Sequence, residues 1–380
     1  MIAIIGAGIS GVAVALFLKK AGKACIIYDC TKEAEGKGYV FNLSKNGLHV
    51  LYSLNLTEKV IEMGTSINTM RFKSQNGEEL TSVPATSVSI KRNTLLTILI
   101  NEAERQGIKI EYSKKVIKID NLESQAIVYF EDKPQIKVDL VIGADGVRSI
   151  VRQSFLEDVK PEYIGMMGTG SILTKFDQFE NIPPKDVIQI TSGYEGAFGM
   201  TQGDSGQLQY WCNIPQQKEL SREELKEINI KSLLLEKYNG WHSPVESLIQ
   251  QSSNIHPLIP VYQVPHLKSW FLNRCVLIGD AAHAMSPNAG QGASTALEDA
   301  LSLALHLKKY DFKEAFPLYE KQRKQRTEQI KQQGKDNTDR LHKKNRVQYW
   351  MGNLFMKYVF NWLFTNYSIP FFDYKENFNE

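Results

Sequence analysis

Residues 274–293 read RCVLIGDAAHAMSPNAGQGA, and this stretch decides the fold. The apolar run Val276–Ile278 predicts a short buried strand that ends in a glycine turn. Asp280 then lies at the strand tip, where α/β sheets bind their ligands. A helix is predicted from Ala293 to Leu307, so a glycine-rich loop leads into a helix N-terminus with free N–H groups and a partial positive charge. The stretch suits a ligand with a polyol chain and a ring that becomes negative.

The N-terminus carries a second ligand motif. Ile2–Ile5 predicts the first strand, and the sequence GAGISG follows at residues 6–11. A helix pattern runs from there to Lys20, and a second predicted strand ends in Asp29. This order of strand, glycine turn, helix, strand and acid is typical of dinucleotide binding.

Each residue of that motif has a physical role in dinucleotide binding. Gly6 makes the tight turn, Gly8 lets the backbone approach a pyrophosphate, and Gly11 lets the helix pack closely on the strand. Ser10, within the same motif, is a further candidate for cofactor binding. Asp29 is predicted to bind the ribose hydroxyls. The motif does not separate FAD from NAD.

A third motif lies at residues 138–149, VDLVIGADGVRS. It predicts a buried strand that ends in Gly-Ala-Asp-Gly and leads into a short helix. Asp145 can cap that helix, and Arg148 can reach a phosphate.

Together these motifs resemble the class A flavin-dependent monooxygenases, the para-hydroxybenzoate hydroxylase-like family. The family pattern G-D-A-A-H-x-x-x-P-x-x-G-Q-G is complete in residues 279–292. The resemblance implies that Asp280 binds the ribityl chain of FAD. It also implies that the loop from Pro287 to Ala293, with Gly290 and Gly292, lies against the pyrimidine edge of the flavin.

The resemblance implies further cofactor contacts. Asn42 is a flavin-side candidate, Arg92 a residue that contacts FAD, and Asp145 a residue for both FAD and NAD(P)H. The chain departs from the family in two ways. Cys30 follows the ribose acid where many members carry Arg or Lys. Only Lys32 and Lys37 are available where some members use an Arg for the nicotinamide cofactor.

The predicted fold is α/β, with a Rossmann-like FAD-binding domain of three layers (two β and one α), an inserted and mostly antiparallel β-sheet substrate domain, and C-terminal helices. The FAD-binding domain is predicted at residues 1–164 and 272–310, and the substrate domain at 165–271. Residues 70–90 are expected to add to the substrate sheet. Residues 311–380 are predicted to be a helical region.

The composition bounds the possible partners and compartment. The chain has 380 residues, 42% of them hydrophobic and 23% charged, with a net charge of +3. This is ordinary globular composition, and it gives no reason to expect nucleic acid as a partner. The four cysteines lack the spacing of a metal or redox site, so no metal is predicted. The first strand begins at the N-terminus without a signal peptide, so the predicted location is the cytoplasm.

The predicted activity is that of an FAD-dependent monooxygenase. By resemblance, NAD(P)H reduces FAD, O2 forms a C4a-hydroperoxyflavin, and one oxygen passes to an electron-rich aromatic or polycyclic small molecule. No residue is assigned as catalytic, and His283 is interpreted as structural. Some similarity to tetracycline-inactivating monooxygenases exists in length and around Asn42 and Arg92.

Three alternatives stay open. A flavin-dependent halogenase shares this fold, but its W-x-W-x-I-P signature would fall on residues 210–215, YWCNIP, where both tryptophans are replaced. The second alternative is a flavoprotein reductase that acts on a double bond. The third, from another class, is a flavin-binding sensor without turnover.

The C-terminal region carries two predicted helices. The charged stretch from Lys313 is predicted to be a solvated helix. Residues 347–365 form an aromatic-rich helix with one polar stripe, too polar in its middle to span a bilayer. We predict that four apolar residues of this helix pack inside the monomer, that Lys357 points to water and that the protein makes no membrane contact. The four are Trp350, Leu354, Phe355 and Tyr358. The predicted oligomeric state is a monomer or a homodimer.

Overall fold

The computed structural model describes residues 1–33, 40–194, 196–203, 206–340, 346–368 and 372–378. Its strands are β1 Ile2–Ile5, β2 Cys25–Tyr28, β3 Val40–Ser44, β4 Thr65–Ser74, β5 Glu79–Lys91, β6 Lys109–Glu111, β7 Val116–Asn121, β8 Ala126–Phe130, β9 Ile136–Val138, β10 Leu140–Gly143, β11 Glu162–Leu173, β12 Val187–Gly193, β13 Gly196–Gln202, β14 Leu208–Pro215, β15 Ile259–Gln263, β16 Phe271–Leu272 and β17 Cys275–Leu277.

The α-helices are α1 Ile9–Lys20, α2 Lys45–Tyr52, α3 Thr57–Glu62, α4 Arg92–Arg105, α5 Ile150–Gln153, α6 Arg222–Glu227, α7 Ile230–Lys237, α8 Val245–Gln251, α9 Asp280–His283, α10 Gly292–Lys309, α11 Phe312–Asp339, α12 Arg346–Phe355 and α13 Asn361–Leu363. A 3₁₀ turn covers Pro287–Ala289, and π-helical turns at Met356–Phe360 and Phe364–Ser368 continue the helical path of α12 and α13.

A parallel sheet forms the base of the cofactor region. Its strand order is β16-β17-β10-β1-β2-β6, and every pairing is parallel except that of β16 with β17. The central strands β1, β10 and β17 are buried along their whole length, which explains their continuous apolar sequences. The carboxyl ends of β1, β10 and β17 therefore meet at one edge, and each is followed by a predicted cofactor motif.

Two further layers complete this region. Helices α1, α4 and α10 pack together as a helical layer. The antiparallel sheet β7-β8-β9 forms another layer, and the Phe130 ring of β8 contacts the Tyr28 ring of β2 with 5.3 Å between the ring centroids. The predicted three-layer Rossmann-like architecture is confirmed.

A second, eight-stranded sheet has the order β15-β11-β14-β13-β12-β4-β5-β3. Its pairings are antiparallel except that β12 runs parallel to β4. Strands β3, β4 and β5 precede α4 in the chain, and the other five strands lie between residues 162 and 263. The predicted mostly antiparallel sheet is confirmed, and the predicted domain bounds stay a prediction.

Two short helices follow each other in the substrate region. Helices α6 and α7 are separated at Ile228, whose backbone is extended. The side chain of Asn229 accepts a hydrogen bond from the Ser232 N–H, so it begins a new helix rather than continuing the old one.

The prediction of a solvated α11 is wrong for its central part. Arg323 is completely buried, because α11 packs along α10 and Arg323 pairs there with Glu298 and Asp299. Charge density along the sequence does not reveal which cations have a buried partner.

The predicted packing of the aromatic helix is also wrong in two of its four residues. Trp350 is 61% exposed and Tyr358 72% exposed, whereas Leu354 and Phe355 are partly buried. The buried aromatic is Tyr349, whose hydroxyl accepts from the Gln75 N–H at 3.0 Å and donates to the Ser192 carbonyl at 3.1 Å.

These two hydrogen bonds fix the rotation of α12, and Trp350 therefore points outward. Lys357 is exposed, as predicted, and it pairs with Glu78 at 2.7 Å. Within the described ranges, no helix combines the length and the apolar character needed to cross a membrane.

Candidate active site

A large cavity lies between the carboxyl edge of the parallel sheet and one face of the eight-stranded sheet. Its volume is about 2620 Å³, several times the roughly 300–1,000 Å³ of a pocket for one drug-sized ligand. Residues of the cofactor motifs line one side, and alternate residues of β12 and β14 line the other. The cavity therefore has room for a dinucleotide and a second ligand.

The glycine turn after β1 forms one wall of the cavity. Gly6 has a φ of +105°, and a Cβ placed there would lie 2.5 Å from the Ala144 carbonyl oxygen. A Cβ on Gly11 would lie 1.9 Å from the Gly6 carbonyl oxygen. A Cβ on Gly8 would meet nothing within 4 Å, and Gly8 and Ser10 both line the cavity. Two glycines are thus required by packing, while Gly8 leaves space on the ligand side.

The acid at the end of β2 is held by the glycine turn and by the turn that follows β2. One oxygen of the Asp29 carboxylate accepts from the Ala7 N–H at 2.6 Å. The other accepts from the N–H and the hydroxyl of Thr31, at 2.8 and 2.7 Å. Asp29 is half-buried and does not line the cavity, so its predicted contact with a ribose stays a prediction.

Asp280 begins the one-turn helix α9 directly after β17. Gly279 has a φ of +57°, and a Cβ there would lie 3.1 Å from Ser10, so this turn and the glycine turn approach each other closely. The Asp280 side chain is exposed and lines the cavity. Within the described part of the chain, no residue donates a hydrogen bond to its carboxylate. The carboxylate is available to a ligand.

The loop at residues 287–293, which we call the flavin loop, is anchored from two sides. Asn213 of β14 donates to the Asn288 side-chain oxygen at 2.7 Å, and Asn337 of α11 donates to the Asn288 carbonyl at 3.1 Å. Gly334 of α11 lies so close that a Cβ on it would fall 2.8 Å from the Ala289 side chain. The predicted residues Pro287, Gly290, Gly292 and Ala293 all line the cavity.

Asn42 and Arg92 also line the cavity. Asn42 lies on the edge strand β3, and its side-chain oxygen is buried without a partner among the described residues. Arg92 is the first residue of α4 and is exposed. The structure brings both residues to the same cavity as Asp280, although more than 180 positions separate them from it in the sequence.

Asp145 caps a helix beside the cavity. Like Asp29, it does not line the cavity, although its neighbours Ala144 and Gly146 do. One carboxylate oxygen accepts from the Ile150 and Val151 N–H groups at 2.7 and 3.1 Å, which caps α5. The other oxygen is buried without a partner among the described residues, and loss of hydration raises the pKa of this carboxyl.

Two arginines follow Asp145 and have different environments. Arg148 lies over the Tyr262 ring, 5.2 Å from its centroid, and does not line the cavity. Arg152 is buried and donates to the Val147 carbonyl at 2.6 Å and to the Ala281 carbonyl at 2.8 Å. Arg152 thereby ties the third motif to the turn that carries Asp280.

Behind Asp280 lies a buried charge cluster, which consists of Asn46, His283, Glu298, Asp299 and Arg323. Asp299 accepts from the Gly279 N–H at 2.9 Å, from His283 at 2.5 Å and from Arg323 at 2.8 Å. Burial raises the pKa of Asp299, but the charges of His283 and Arg323 outweigh this effect and hold the pKa below its usual value. His283 is buried within this cluster, and its interpretation as a structural residue stays a prediction.

The other acid of the cluster connects to the flavin loop. Glu298 pairs with Arg323 at 2.5 Å and with Arg326 at 2.8 Å. Asn46 donates to Glu298 at 2.6 Å and to the Gln291 side-chain oxygen at 2.9 Å. The cluster therefore braces both the turn of Asp280 and the flavin loop. Sequence reasoning missed it, and the available signal was the adjacent pair Glu298-Asp299 within the apolar helix α10.

His256 is another residue that the sequence reasoning missed. It lines the cavity, and burial lowers the pKa of its imidazole. For NAD(P)H, the sequence offered Lys32, which is exposed, and Lys37, which lies outside the described residues.

Comparison with known proteins fits this geometry. The family model described as FAD binding domain matches residues 1–334. The chain belongs to this family. Its cofactor is FAD, and NAD(P)H is the co-substrate typical of the family.

The relatives are FAD-dependent monooxygenases. The chain is 26% identical to 6-hydroxynicotinate 3-monooxygenase of Pseudomonas fluorescens over 89% of this chain and 91% of that protein. It is 25% identical to FAD-dependent urate hydroxylase of Klebsiella pneumoniae over 90% of each.

Among solved structures, Klebsiella pneumoniae HpxO complexed with FAD and uric acid has a TM-score of 0.87 at 22% identity, covering 98% of this chain and 96% of that one. The tetracycline destructase Tet(51) has a TM-score of 0.71 at 21% identity, covering 95% and 96%. The predicted family and fold are confirmed.

The residues present fit FAD. Gly8 and the first turn of α1 leave an open cradle with free N–H groups, which suits a pyrophosphate. Asp280 offers an unpartnered carboxylate for hydroxyl groups, and Asn42 offers a buried oxygen that lacks a donor. These unmet hydrogen-bonding groups lie around one cavity, as a bound cofactor requires.

Proposed function

We propose that the protein is a monooxygenase that uses FAD, NAD(P)H and O2 to hydroxylate an electron-rich aromatic or polycyclic small molecule. One observation carries the proposal: a single cavity is lined on one side by the cofactor motifs and on the other by the inner face of the eight-stranded sheet. Bound FAD supplies the redox chemistry, because it takes electrons from NAD(P)H and activates O2.

The chain's own residues hold the cofactor. In this proposal Asp280 accepts hydrogen bonds from the ribityl hydroxyls, and the N–H groups at the start of α1 face the pyrophosphate. The flavin loop, fixed by Asn288 and braced by the buried charge cluster, sets the position of the ring. Rigid support of this kind keeps a cofactor in one orientation toward its substrate.

The opposite wall supplies a surface for a planar ring. Gln209, Trp211 and Asn213 alternate along β14 and line the cavity. Gly199 on the neighbouring strand has no side chain, and a Cβ there would fall 2.0 Å from the Trp211 indole. The indole therefore packs flat on β13, where it can stack with an aromatic substrate. The amides of Gln209 and Asn213 flank it and provide hydrogen-bonding groups.

The inner side of the C-terminal helix covers part of the cavity with apolar groups. Met356, Phe360 and Leu363 line it there, with Tyr349 at the start. An apolar cover excludes water, which strengthens polar interactions inside and protects reactive species from hydrolysis. This supports oxygen transfer as the chemistry of the site.

The substrates named for relatives support a ring compound as the substrate of this protein. The names of two relatives refer to 6-hydroxynicotinate and urate, and both compounds are heteroaromatic rings. A third relative, 28% identical over 79% of each chain, is aurachin C monooxygenase/isomerase of Stigmatella aurantiaca. We therefore propose a phenol, heteroaromatic ring or fused polycycle as the substrate class.

A substrate panel tests the proposal. Phenols, hydroxypyridines, purines, quinolones and tetracycline-like polycycles are added to FAD-loaded protein in air, with NADH or NADPH. We expect one class to stimulate NAD(P)H consumption and to gain the mass of one oxygen. Chloride incorporation would indicate a halogenase, and reduction of a double bond would indicate a reductase. Absence of stimulated turnover across the panel would favour a sensor.

A variant of the aromatic wall tests the substrate side separately. Trp211→Leu should raise KM for the active compound by roughly two- to tenfold, because a stacked aromatic pair contributes about 0.5–1.5 kcal/mol beyond its buried area. FAD content should not change. Tyr52→Leu, an exposed aromatic that does not line the cavity, serves as the control. Equal KM values for the two variants would contradict the assignment of Trp211.

A further inference from the structure

Asn288 of the flavin loop is bound by two separate parts of the chain. Its side-chain oxygen accepts from the Nδ2 group of Asn213, on β14, at 2.7 Å. Its own Nδ2 group donates to the Thr338 hydroxyl of α11 at 3.0 Å and to the Met166 sulfur of β11 at 3.4 Å. Asn337 of α11 donates to its carbonyl at 3.1 Å. This one residue thereby joins the eight-stranded sheet and α11 to the flavin loop.

The neighbouring hydroxyls decide which end of the Asn288 amide faces Asn213. The Thr338 hydroxyl donates its hydrogen to the Gly334 carbonyl at 2.8 Å, so it can only accept from its other neighbours. The Ser286 hydroxyl therefore donates to Thr338 at 2.6 Å, and it accepts from the Asn288 N–H at 3.2 Å. A reversed amide would place oxygen against oxygen at Thr338 and N–H against N–H at Asn213. The bond between Asn213 and Asn288 thus has one geometry.

Asn213 also belongs to the wall that faces the substrate. Asn213 and Trp211 lie two positions apart on β14, and both line the cavity. Alternate residues of a strand point to the same face, with about 7 Å between them. The Asn213 side chain is buried, which keeps water from competing for its hydrogen bond. Asn213 therefore connects the wall that carries the Trp211 indole with the flavin loop.

We propose that Asn213 is a positioning residue for oxygen transfer, because its bond to Asn288 holds the flavin loop at a fixed distance from a ring stacked on Trp211. The inference rests on the proposed function. A displacement of about 1 Å between reacting groups can lower a rate by roughly a hundredfold. Without this bond the flavin loop keeps its attachment to α11 but loses its link to β14. Oxygen is then reduced to hydrogen peroxide by the two electrons of NAD(P)H and does not reach the ring.

Asn213→Val tests the inference in the FAD-loaded protein. Valine has nearly the volume of asparagine and suits a strand, but it cannot donate a hydrogen bond. With the active compound, product formation and NAD(P)H consumption should match in the wild type. In the variant, the product formed per NAD(P)H should fall by roughly tenfold or more, and hydrogen peroxide should account for the difference. KM should change far less than this ratio.

The matched control is Thr338→Val. It removes a hydrogen bond of the same Asn288 amide on the α11 side and leaves the bond to Asn213 in place. It should keep the wild-type ratio of product to NAD(P)H. Melting temperature and FAD content show whether both variants are folded. If Asn213→Val does not fold, Asn288→Leu removes the same bond from the side of the flavin loop and takes its place.

A second measurement does not depend on turnover. The visible circular dichroism of bound FAD reports how the protein holds the flavin ring. Asn213→Val should change this spectrum in the absence of any substrate, whereas Thr338→Val should keep it. If the wild type hydroxylates no compound, the proposed function fails, and this spectrum still decides the role of Asn213.

Three results would overturn the inference. The first is a wild-type ratio of product to NAD(P)H in folded Asn213→Val, since a change in KM alone would make Asn213 a substrate-binding residue. The second is an equal loss of product in Thr338→Val, which would mean that general anchoring of the flavin loop matters and its link to β14 does not. The third is a wild-type flavin spectrum in Asn213→Val.

Discussion

The glycine turn at residues 6–11 and the flavin loop at 287–293 line the same cavity, but different contacts hold them in place. The glycine turn is fixed by backbone packing over a few residues, in which Gly6 and Gly11 leave no room for a side chain. The flavin loop is fixed by side chains from β14, α2, α10 and α11, and buried charges stand behind it. One half of the cofactor site is thus specified locally and the other by long-range contacts.

The largest expected effect on stability comes from removing a long-range contact in the buried charge cluster. Arg323→Met leaves Glu298 and Asp299 buried with reduced compensation, and removing one partner of a buried pair typically costs about 3–5 kcal/mol. Thermal and urea unfolding of the apoprotein measure the loss. The control is Arg326→Met, which also contacts Glu298 but from a partly exposed position, and it should cost about 1 kcal/mol or less. Equal losses of unfolding free energy in the two variants would contradict the role of the cluster.

The next largest effect is expected at the glycine turn, which local packing holds in place. Gly11→Ala should destabilise the apoprotein by about 1–3 kcal/mol, because its Cβ would overlap the Gly6 carbonyl. Gly8→Ala should leave apoprotein stability nearly unchanged. Gly8→Val should give a folded but colourless protein, since its side chain occupies the place of the phosphate. A yellow Gly8→Val protein with full flavin content would show that the turn binds something else.

A third variant separates cofactor affinity from stability. Asp280→Ala should weaken FAD binding by about one to two decades, because a hydrogen bond to a charged group contributes roughly 1.5–3 kcal/mol. Apoprotein stability should not change, since the carboxylate is exposed. Flavin fluorescence titration and apoprotein melts measure the two quantities. Unchanged FAD affinity in the folded variant would refute the assignment of Asp280.

The smallest expected effect is in the pH dependence of unfolding, which should have opposite signs at Asp145 and Asp299. The folded pKa of Asp299 is lowered, so its contribution is present above about pH 4, the usual Asp value, and is lost as pH falls through the folded pKa. The folded pKa of Asp145 is raised, so its contribution is present below the unfolded pKa and is lost as pH rises through the folded pKa.

Asp145→Asn and Asp299→Asn test this difference as slopes of unfolding free energy against pH. Relative to the wild type, Asp299→Asn should lose part of the decline toward acid pH. Asp145→Asn should gain stability near neutrality relative to its stability in acid. Slopes that change in the same direction in both variants would contradict the two environments.

The difference between local and long-range contacts also explains which site residues could be predicted from the sequence. Gly6, Gly8 and Gly11 follow each other within one turn, and Asp280 follows directly after its strand, so local pattern was enough to identify them. Arg323 and Asp299 are 24 positions apart, and Asn46 and Glu298 are 252 apart. Such pairs arise only when helices pack, so a single sequence does not reveal them.

The aromatic helix shows a related limit. Periodicity predicted an apolar helix with one polar stripe, but it did not predict which side faces the protein. The hydroxyl of Tyr349 decides the rotation through its bonds to the backbones of Gln75 and Ser192, which belong to distant parts of the chain. Trp350 and Tyr358 are exposed for that reason.

Labelled oxygen tests the proposed activity most directly. FAD-loaded protein is supplied with NAD(P)H and the compound that the panel identifies, once under ¹⁸O2 in ordinary water and once under ordinary O2 in H2¹⁸O. Mass spectrometry of the product then gives the source of the added oxygen. We predict one labelled oxygen from ¹⁸O2 and none from H2¹⁸O. A product that carries label only from water, or a product without added oxygen, would contradict the assignment as a monooxygenase.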